Sequence, residues 1–147
     1  LYRRTCPDLT RKTCRGARTA LRRLATRGAV LGLVTGNFTR IGWRKLACAG
    51  LKDYFRFGAF GEMARTRAAL AKLAIRRARK EGLIGRGART ALIGDAPADI
   101  LAAQANGIAS IAVSTGISTR EELASCRPDV LLSDLRELDG ALERCFG

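Results

Sequence analysis

The feature that most constrains this chain is an alternation. Five short apolar runs, each closing on glycine or on small polar residues, are separated by stretches with helical spacing. The runs are "AVLGLVTG" (29–36), "YFRFGAFG" (54–61), "TALIG" (90–94), "IASIAVSTG" (108–116) and "DVLLSD" (129–134). Each reads as a buried strand, the second as a strand or an edge segment. Before the first run, Ala17, Leu21 and Leu24 recur at helical spacing and Gly28 is placed to stop the helix. Between the runs, a helix is expected over about 40–49, with Thr39 as its N-cap and Gly50 as its C-cap. A basic helix follows to about Glu81, with Leu70, Leu73 and Ile75 on its apolar stripe. "PADILAAQANG" opens on Pro97 and closes on Gly107. "TREELASC" has Ser118 or Thr119 as its cap, and "LRELDGALERCF" ends the chain. Strands alternating with helices this regularly imply right-handed βαβ crossovers and an α/β fold on a parallel sheet. Ligands of such open sheets bind beyond the carboxyl ends of the strands. There the sequence places Thr35, Gly36 and Asn37, then Asp95, then Ser114, Thr115 and Gly116, then Ser133 and Asp134.

Length and composition remove other classes. At 147 residues and 47 % hydrophobic, the chain is long and apolar enough for one domain with a core. No apolar run approaches the roughly 20 residues of a membrane span, and no secretory signal is visible, so no membrane partner is expected. Five cysteines include no Cys-x-x-Cys pair, which points to reduced thiols and a cytoplasmic protein rather than a zinc site. The absence of histidine removes Ser-His and Cys-His nucleophiles. The net charge of +14 would suit a binder of nucleic acid or of an acidic partner. Yet the basic residues are spread along the chain and aromatics make up only 5 %, too few to interleave as stacking platforms. A solvated basic surface is the better account.

Two stretches carry chemistry. In "TALIGDAPADI", Asp95 leaves a strand and Asp99 falls in the first turn of the next helix. Carboxylates on one turn repel unless a cation lies between them, and Mg²⁺ with its oxygen ligands suits the pair. An isolated D-x-x-x-D more often serves loop amides and the helix dipole. The preceding strand, the glycine and the proline-opened helix favour the metal. In "LVTGN", the Thr35 hydroxyl with the Gly36 and Asn37 amides could cradle a phosphate across the same crevice. The alternative there is ordinary turn chemistry. A phosphate also needs a fixed cation, for which Arg67 and Lys72 are candidates near the start of the basic helix.

These blocks, with "IGWRKLACAGLKDYF", "FGAFGEMARTRAAL" and "ALIGDAPADILAAQANGIASIAVSTG", resemble the haloacid dehalogenase (HAD) superfamily, closest to its phosphoglycolate-phosphatase-like hydrolases. The resemblance runs from about Cys14 to Leu142 and implies a Rossmann-like parallel sheet flanked by helices. It further implies a Mg²⁺-dependent phosphatase of a small phosphorylated metabolite, working through an aspartyl-phosphate. Thr35 would hold the transferring phosphoryl group, and Arg67, or Lys72, would neutralise it. Asp95 and Asp99 would position Mg²⁺.

The resemblance has one gap. The family's nucleophile lies in a D-x-D-x-T motif at the end of a first, central strand, and this sequence has none. "CPDLT" (6–10) has cysteine at the first position and no buried strand before it. Residues 1–13 read as the tail of a cap segment and 14–147 as a core domain lacking its first strand. The strands ending at Thr35 and Gly94 must then pair directly or stand about 10 Å apart, twice the usual spacing. The expectation is a fragment or truncated homologue with little turnover. The competing class is a non-catalytic basic protein that binds nucleic acid or an acidic partner.

Overall fold

The computed structural model describes residues 16–146, so residues 1–13, including "CPDLT", lie outside the described residues. The elements are α1 (Ala17–Thr26), β1 (Gly32–Val34), α2 (Thr39–Cys48), β2 (Phe57–Ala59), α3 (Arg67–Lys80), β3 (Ala91–Gly94), α4 (Pro97–Ala105), β4 (Ala109–Val113), α5 (Arg120–Ser125), β5 (Val130–Leu132) and α6 (Leu138–Phe146). Their order is the alternation read from the sequence. Single 3₁₀ turns at Lys52–Tyr54 and Leu135–Glu137 complete it.

Local chemistry explains most boundaries. Gly28, Gly50 and Gly107 stand just past helix ends with φ of 81°, 72° and 65°, in the left-handed region where a Cβ is costly. Thr119 caps α5 by accepting from the Glu122 amide at 3.1 Å, and Thr66 caps α3 by accepting from Ala69 at 3.1 Å. Thr39 departs from expectation. It is the first helical residue of α2, and Phe38 occupies the N-cap without a side-chain bond. The reason is Glu62, whose carboxylate arrives from the loop after β2. It accepts from the Thr39 amide at 3.0 Å and from Thr39 Oγ1 at 2.8 Å. A residue distant in sequence does the work of the cap.

Among the described residues all strand pairings are parallel. They form two sheets rather than one: β1-β2, and β3-β4-β5. The second is the better packed. Ile111 and Val113 of β4 face Leu24 of α1 and Leu138 and Ala141 of α6. Ala112, between them, faces Ile100 of α4 and Leu123 of α5 on the other side. This period-2 alternation places a helical layer on each face. In the first sheet, Ala59 packs against Leu70 and Ala74 of α3, joined by Val34 and Phe57. Arg77 of α3 donates to the Gly58 carbonyl at 3.1 Å, so one residue of the basic helix is pinned to β2 rather than free in solvent.

Strands β1 and β3 do not pair with each other. Between them lies an open slot of about 430 Å³, lined by Val30, Gly32 and Val34 on one side and Ala91 and Leu92 on the other. Ala74 and Ile75 of α3 form part of its floor. Of the two arrangements that the sequence allows for these strands, the fold adopts the separated one.

The cysteines need one correction. Cys48 is disulfide-bonded, against the expectation of reduced thiols, while Cys126 and Cys145 are free. Disulfide formation depends on the approach of two Cα atoms to within about 7 Å, which spacing along a chain does not reveal.

Candidate functional site

The site is built at the carboxyl ends of β1 and β3. Strand β1 stops at Val34, and Thr35 continues it by one backbone bond, its amide donating to the Ala59 carbonyl at 3.1 Å. The chain then turns sharply. The Asn37 amide and the Asn37 side-chain Nδ2 both donate to Thr35 Oγ1, each at 3.1 Å. With both donors accepted on its oxygen, the hydroxyl's own hydrogen is left to point elsewhere. The Asn37 amide, expected to face a phosphate, is turned inward onto Thr35. Lys45 of α2 donates to Asn37 Oδ1 at 3.3 Å and brings a cation to the outer side of the turn. The Gly61 amide donates to the Asn37 carbonyl at 2.8 Å, and a Cβ at Gly61 would run into the Gly36 carbonyl. The turn is therefore clamped from behind by the loop after β2, through a glycine that lets the two backbones touch.

Asp95 and Asp99 follow β3. Asp95 is exposed at the mouth, whereas Asp99 is buried, with 8 % of its surface exposed. Pro97 opens α4 and places Asp99 at the third helical position. There its Oδ2 accepts from the Ala96 amide at 3.3 Å, the returning half of a capping box. Burial raises the Asp99 pKa above its ordinary value, and the Asp95 charge adds to this. Arg67 and the Ala96 amide pull the other way without overcoming the burial. A cation beside the pair would relieve both the burial and the repulsion. Glycines make room for the carboxylates. A Cβ at Gly94 would overlap the Asp99 carboxylate, and one at Gly116 would overlap that of Asp95. Gly116 follows β4, so a third strand end shapes the site.

Arg67 joins the two halves. It is the first residue of α3, and its Nη1 donates to Asp99 Oδ1 at 3.0 Å. The same nitrogen makes a longer contact of 3.5 Å with the Val34 carbonyl. One guanidinium thus spans from the end of β1 to the acid of α4. Lys72 is exposed, and five residues further along α3 it lies about 140° round the helix. Of the two candidate cations, Arg67 is the one that meets an acid of the pair, Asp99.

Other residues placed near the strand ends serve the fold. Ser114 Oγ donates to the Leu132 carbonyl at 3.3 Å. Asp134 accepts from the Arg136 amide at 2.7 Å and from Arg136 Nε at 2.8 Å. Glu62 and Lys45 were not legible as neighbours of the site, since nothing in their local sequence marks them. Both are brought there by the return of the chain from β2 and α2. Among the described residues no group of three or more acidic, cysteine or histidine side chains gathers as a metal cage. One or two carboxylates with water completing the shell is the other common way of holding Mg²⁺.

Residues 64–138 match the family model described as HAD-hydrolase-like. That span holds Arg67, Asp95 and Asp99 but not Thr35, Gly36 and Asn37. Solved structures match over nearly the whole chain. A predicted phosphatase from Clostridium acetobutylicum matches with a TM-score of 0.74 at 25 % identity, over 88 % of this chain and 59 % of its own. A predicted phosphoglycolate phosphatase from Haemophilus somnus gives 0.73 at 22 %, over 88 % and 56 %. A haloacid dehalogenase-like hydrolase from Streptococcus pneumoniae gives 0.74 at 19 %, over 87 % and 59 %. The chain thus spans less than two thirds of the length of these structures. A search of the curated proteins finds no match.

Proposed function

Because the chain belongs to the HAD-like hydrolases, we propose that its crevice binds the phosphoryl group of a small phosphorylated metabolite beside a Mg²⁺ ion. The observation that carries this is the reach of Arg67. It links the Asp99 carboxylate beyond β3 to the Val34 carbonyl just before Thr35, at the ends of two strands whose edges do not pair. In this reading the Thr35 hydroxyl and the Gly36 amide donate to phosphoryl oxygens, and the Arg67 fork offsets their charge. Asp95 and Asp99 would hold Mg²⁺, which when bound would neutralise charge developing on the transferring group. Asp99 also fixes Arg67, so the cation meets the phosphate in one orientation.

In this reading none of these residues serves as a nucleophile, since among the described residues no base is hydrogen-bonded to Thr35 and the two aspartates are given to the metal. The chain is therefore read as binding phosphate and Mg²⁺ with little turnover of its own. The test pairs binding with activity. Inorganic phosphate should bind by calorimetry more tightly with Mg²⁺ than without it, and Asp95→Asn should abolish the Mg²⁺ enhancement. Hydrolysis of an aryl phosphate should stay near the uncatalysed rate. Robust hydrolysis that Asp95→Asn abolishes would sink the claim of low turnover. Phosphate binding indifferent to Mg²⁺ would sink the metal assignment.

A further inference from the structure

We propose that the outer face of α3 is a docking surface for the phosphate backbone of a double-stranded nucleic acid. This goes beyond the phosphate crevice and does not depend on it. Lys72, Arg76, Arg79 and Lys80 are all exposed. At 3.6 residues per turn they fall within about 100° of one another round the helix, over a rise of about 12 Å. The inward side of α3 is Leu70, Ala71, Ala74 and Ala78, all buried. Packing of that side into the fold thus turns four cations outward as a single stripe.

The cations of this chain are spread along its length, but its acids are not. Residues 63–94 hold nine lysines and arginines and one acid, Glu81. Residues 100–119, which include most of the neighbouring α4, hold no charged residue at all. Elsewhere the cations find acids: Arg23 and Arg27 share Asp139, and Arg136 meets Asp134. Among the described residues none of the four on the stripe forms an ion pair. Lys72 and Arg76 stand four apart, as do Arg76 and Lys80, so like charges repel along the helix. The helix dipole offsets some of this for Arg79 and Lys80 in the last turn. Lys72 and Arg76 lie further in, and α3 itself contains no acid to offset theirs.

The chemistry of the face selects the partner. A duplex carries one negative charge per about 1.7 Å of its axis, so a stripe of about 12 Å meets several phosphates at once. Arginine forks and lysine ammonium groups both suit phosphate oxygens. Residues 61–145 contain no aromatic side chain. The face therefore lacks a platform for the unstacked bases of a single strand, and it lacks the Trp or Tyr that anchors at a membrane interface. A duplex keeps its bases stacked and needs no platform. The buried side of α3 takes Leu70 and three alanines inward, which leaves the stripe without an apolar anchor for the core of a protein–protein interface.

The test is fluorescence anisotropy of the full chain with a short labelled DNA duplex, and with an RNA duplex of the same sequence, over a series of salt concentrations. Saturable binding is expected at low salt. Log affinity should fall against log salt with a slope of about −0.9 for each phosphate neutralised. Lys72→Gln, Arg76→Gln, Arg79→Gln and Lys80→Gln together should weaken binding at least tenfold and flatten that slope by about 3–4. Lys72→Gln with Arg76→Gln alone should flatten it by about 2, and that pair decides if the fourfold variant does not fold. The control removes four exposed cations elsewhere, Arg22, Lys52, Arg56 and Arg127, and should flatten the slope by less than about 1. An equal loss in the control would show attraction to net charge rather than to this face, and would overturn the proposal. No binding at low salt would overturn it, as would tighter binding to a single strand than to the duplex. Displacement of the duplex by polyglutamate at equal charge concentration would show an acidic protein as the partner and would overturn it too. Binding to only one of the two duplexes would uphold it and identify DNA or RNA as the source.

Discussion

The two sheets of this molecule are built by the same local rules and reach different degrees of closure. In the three-stranded sheet, β4 has a partner on each side and its last four residues are buried. In the two-stranded sheet, β1 has one partner among the described residues, and none of its own residues is buried. Helical layers, caps and apolar runs are present in both. The difference lies in whether each edge meets another edge. A strand's burial is thus a property of its neighbours as much as of its own sequence, and the candidate site residues gather where the closed and open halves meet.

The largest test of this contrast is truncation of the two cores. Ile100→Ala, in the closed half and 1 % exposed, should cost about 2–5 kcal/mol in urea unfolding. Val34→Ala, beside the slot, should cost roughly half as much or less, since its side chain already borders open space. Equal losses would break the distinction between the halves.

Next comes a pair of glycines. Gly94→Ala places a Cβ on the Asp99 carboxylate and should destabilise by about 1–3 kcal/mol, with loss of Mg²⁺-enhanced phosphate binding. Gly85→Ala meets nothing within 4 Å and should be neutral or slightly stabilising, by about 0.4–1 kcal/mol, through the unfolded chain. Thermal melts and phosphate calorimetry on both variants check this. If Gly94→Ala kept full binding, the crowded acid turn would not be what fixes Asp99.

Smaller effects should not distinguish the halves at all. Thr66→Ala removes the cap of α3 on the open side, and Thr119→Ala removes that of α5 on the closed side. Each should cost about 1 kcal/mol, because a cap answers to its own helix end rather than to sheet closure. A much larger loss for Thr66→Ala would mean that α3 depends on its cap because the slot leaves it poorly supported.

The smallest effect is electrostatic. Hydrogen bonds from Thr39, led by its backbone amide, hold the exposed Glu62 carboxyl below its ordinary 4.5. A depressed acid contributes stability that is present above the unfolded value and lost as pH falls through the folded one. The contribution should therefore fade below about pH 4.5. Glu62→Gln should flatten that part of the stability curve and leave neutral pH little changed, as measured by melting temperature from pH 3 to 7. An unchanged acid limb would remove Glu62 from the support of the start of α2.

Much of this was legible in the residues. Glycines at helix ends, Pro97 at the start of α4 and the period of the apolar runs are local signals, and local signals survive without knowledge of the fold. The acidic pair and the Thr35 turn were legible for the same reason, each being contained in a few consecutive residues. Thr39 was misread as a cap because its partner, Glu62, lies 23 residues on. The choice between Arg67 and Lys72 was open because both sit on one basic helix, and only the direction of each side chain separates them.

The sequence by itself determined the order of strands and helices, the ends of the helices and which residue types could stand at the strand ends. These follow from backbone sterics and from the periodicity of apolar residues, both of which act over a few positions. Tertiary structure alone decided that Arg67 reaches Asp99, that Glu62 replaces a cap and that β1 and β3 stand apart. Each of those depends on where segments tens of residues apart come to rest. That position is set by packing summed over the whole core, and no short stretch of sequence encodes it.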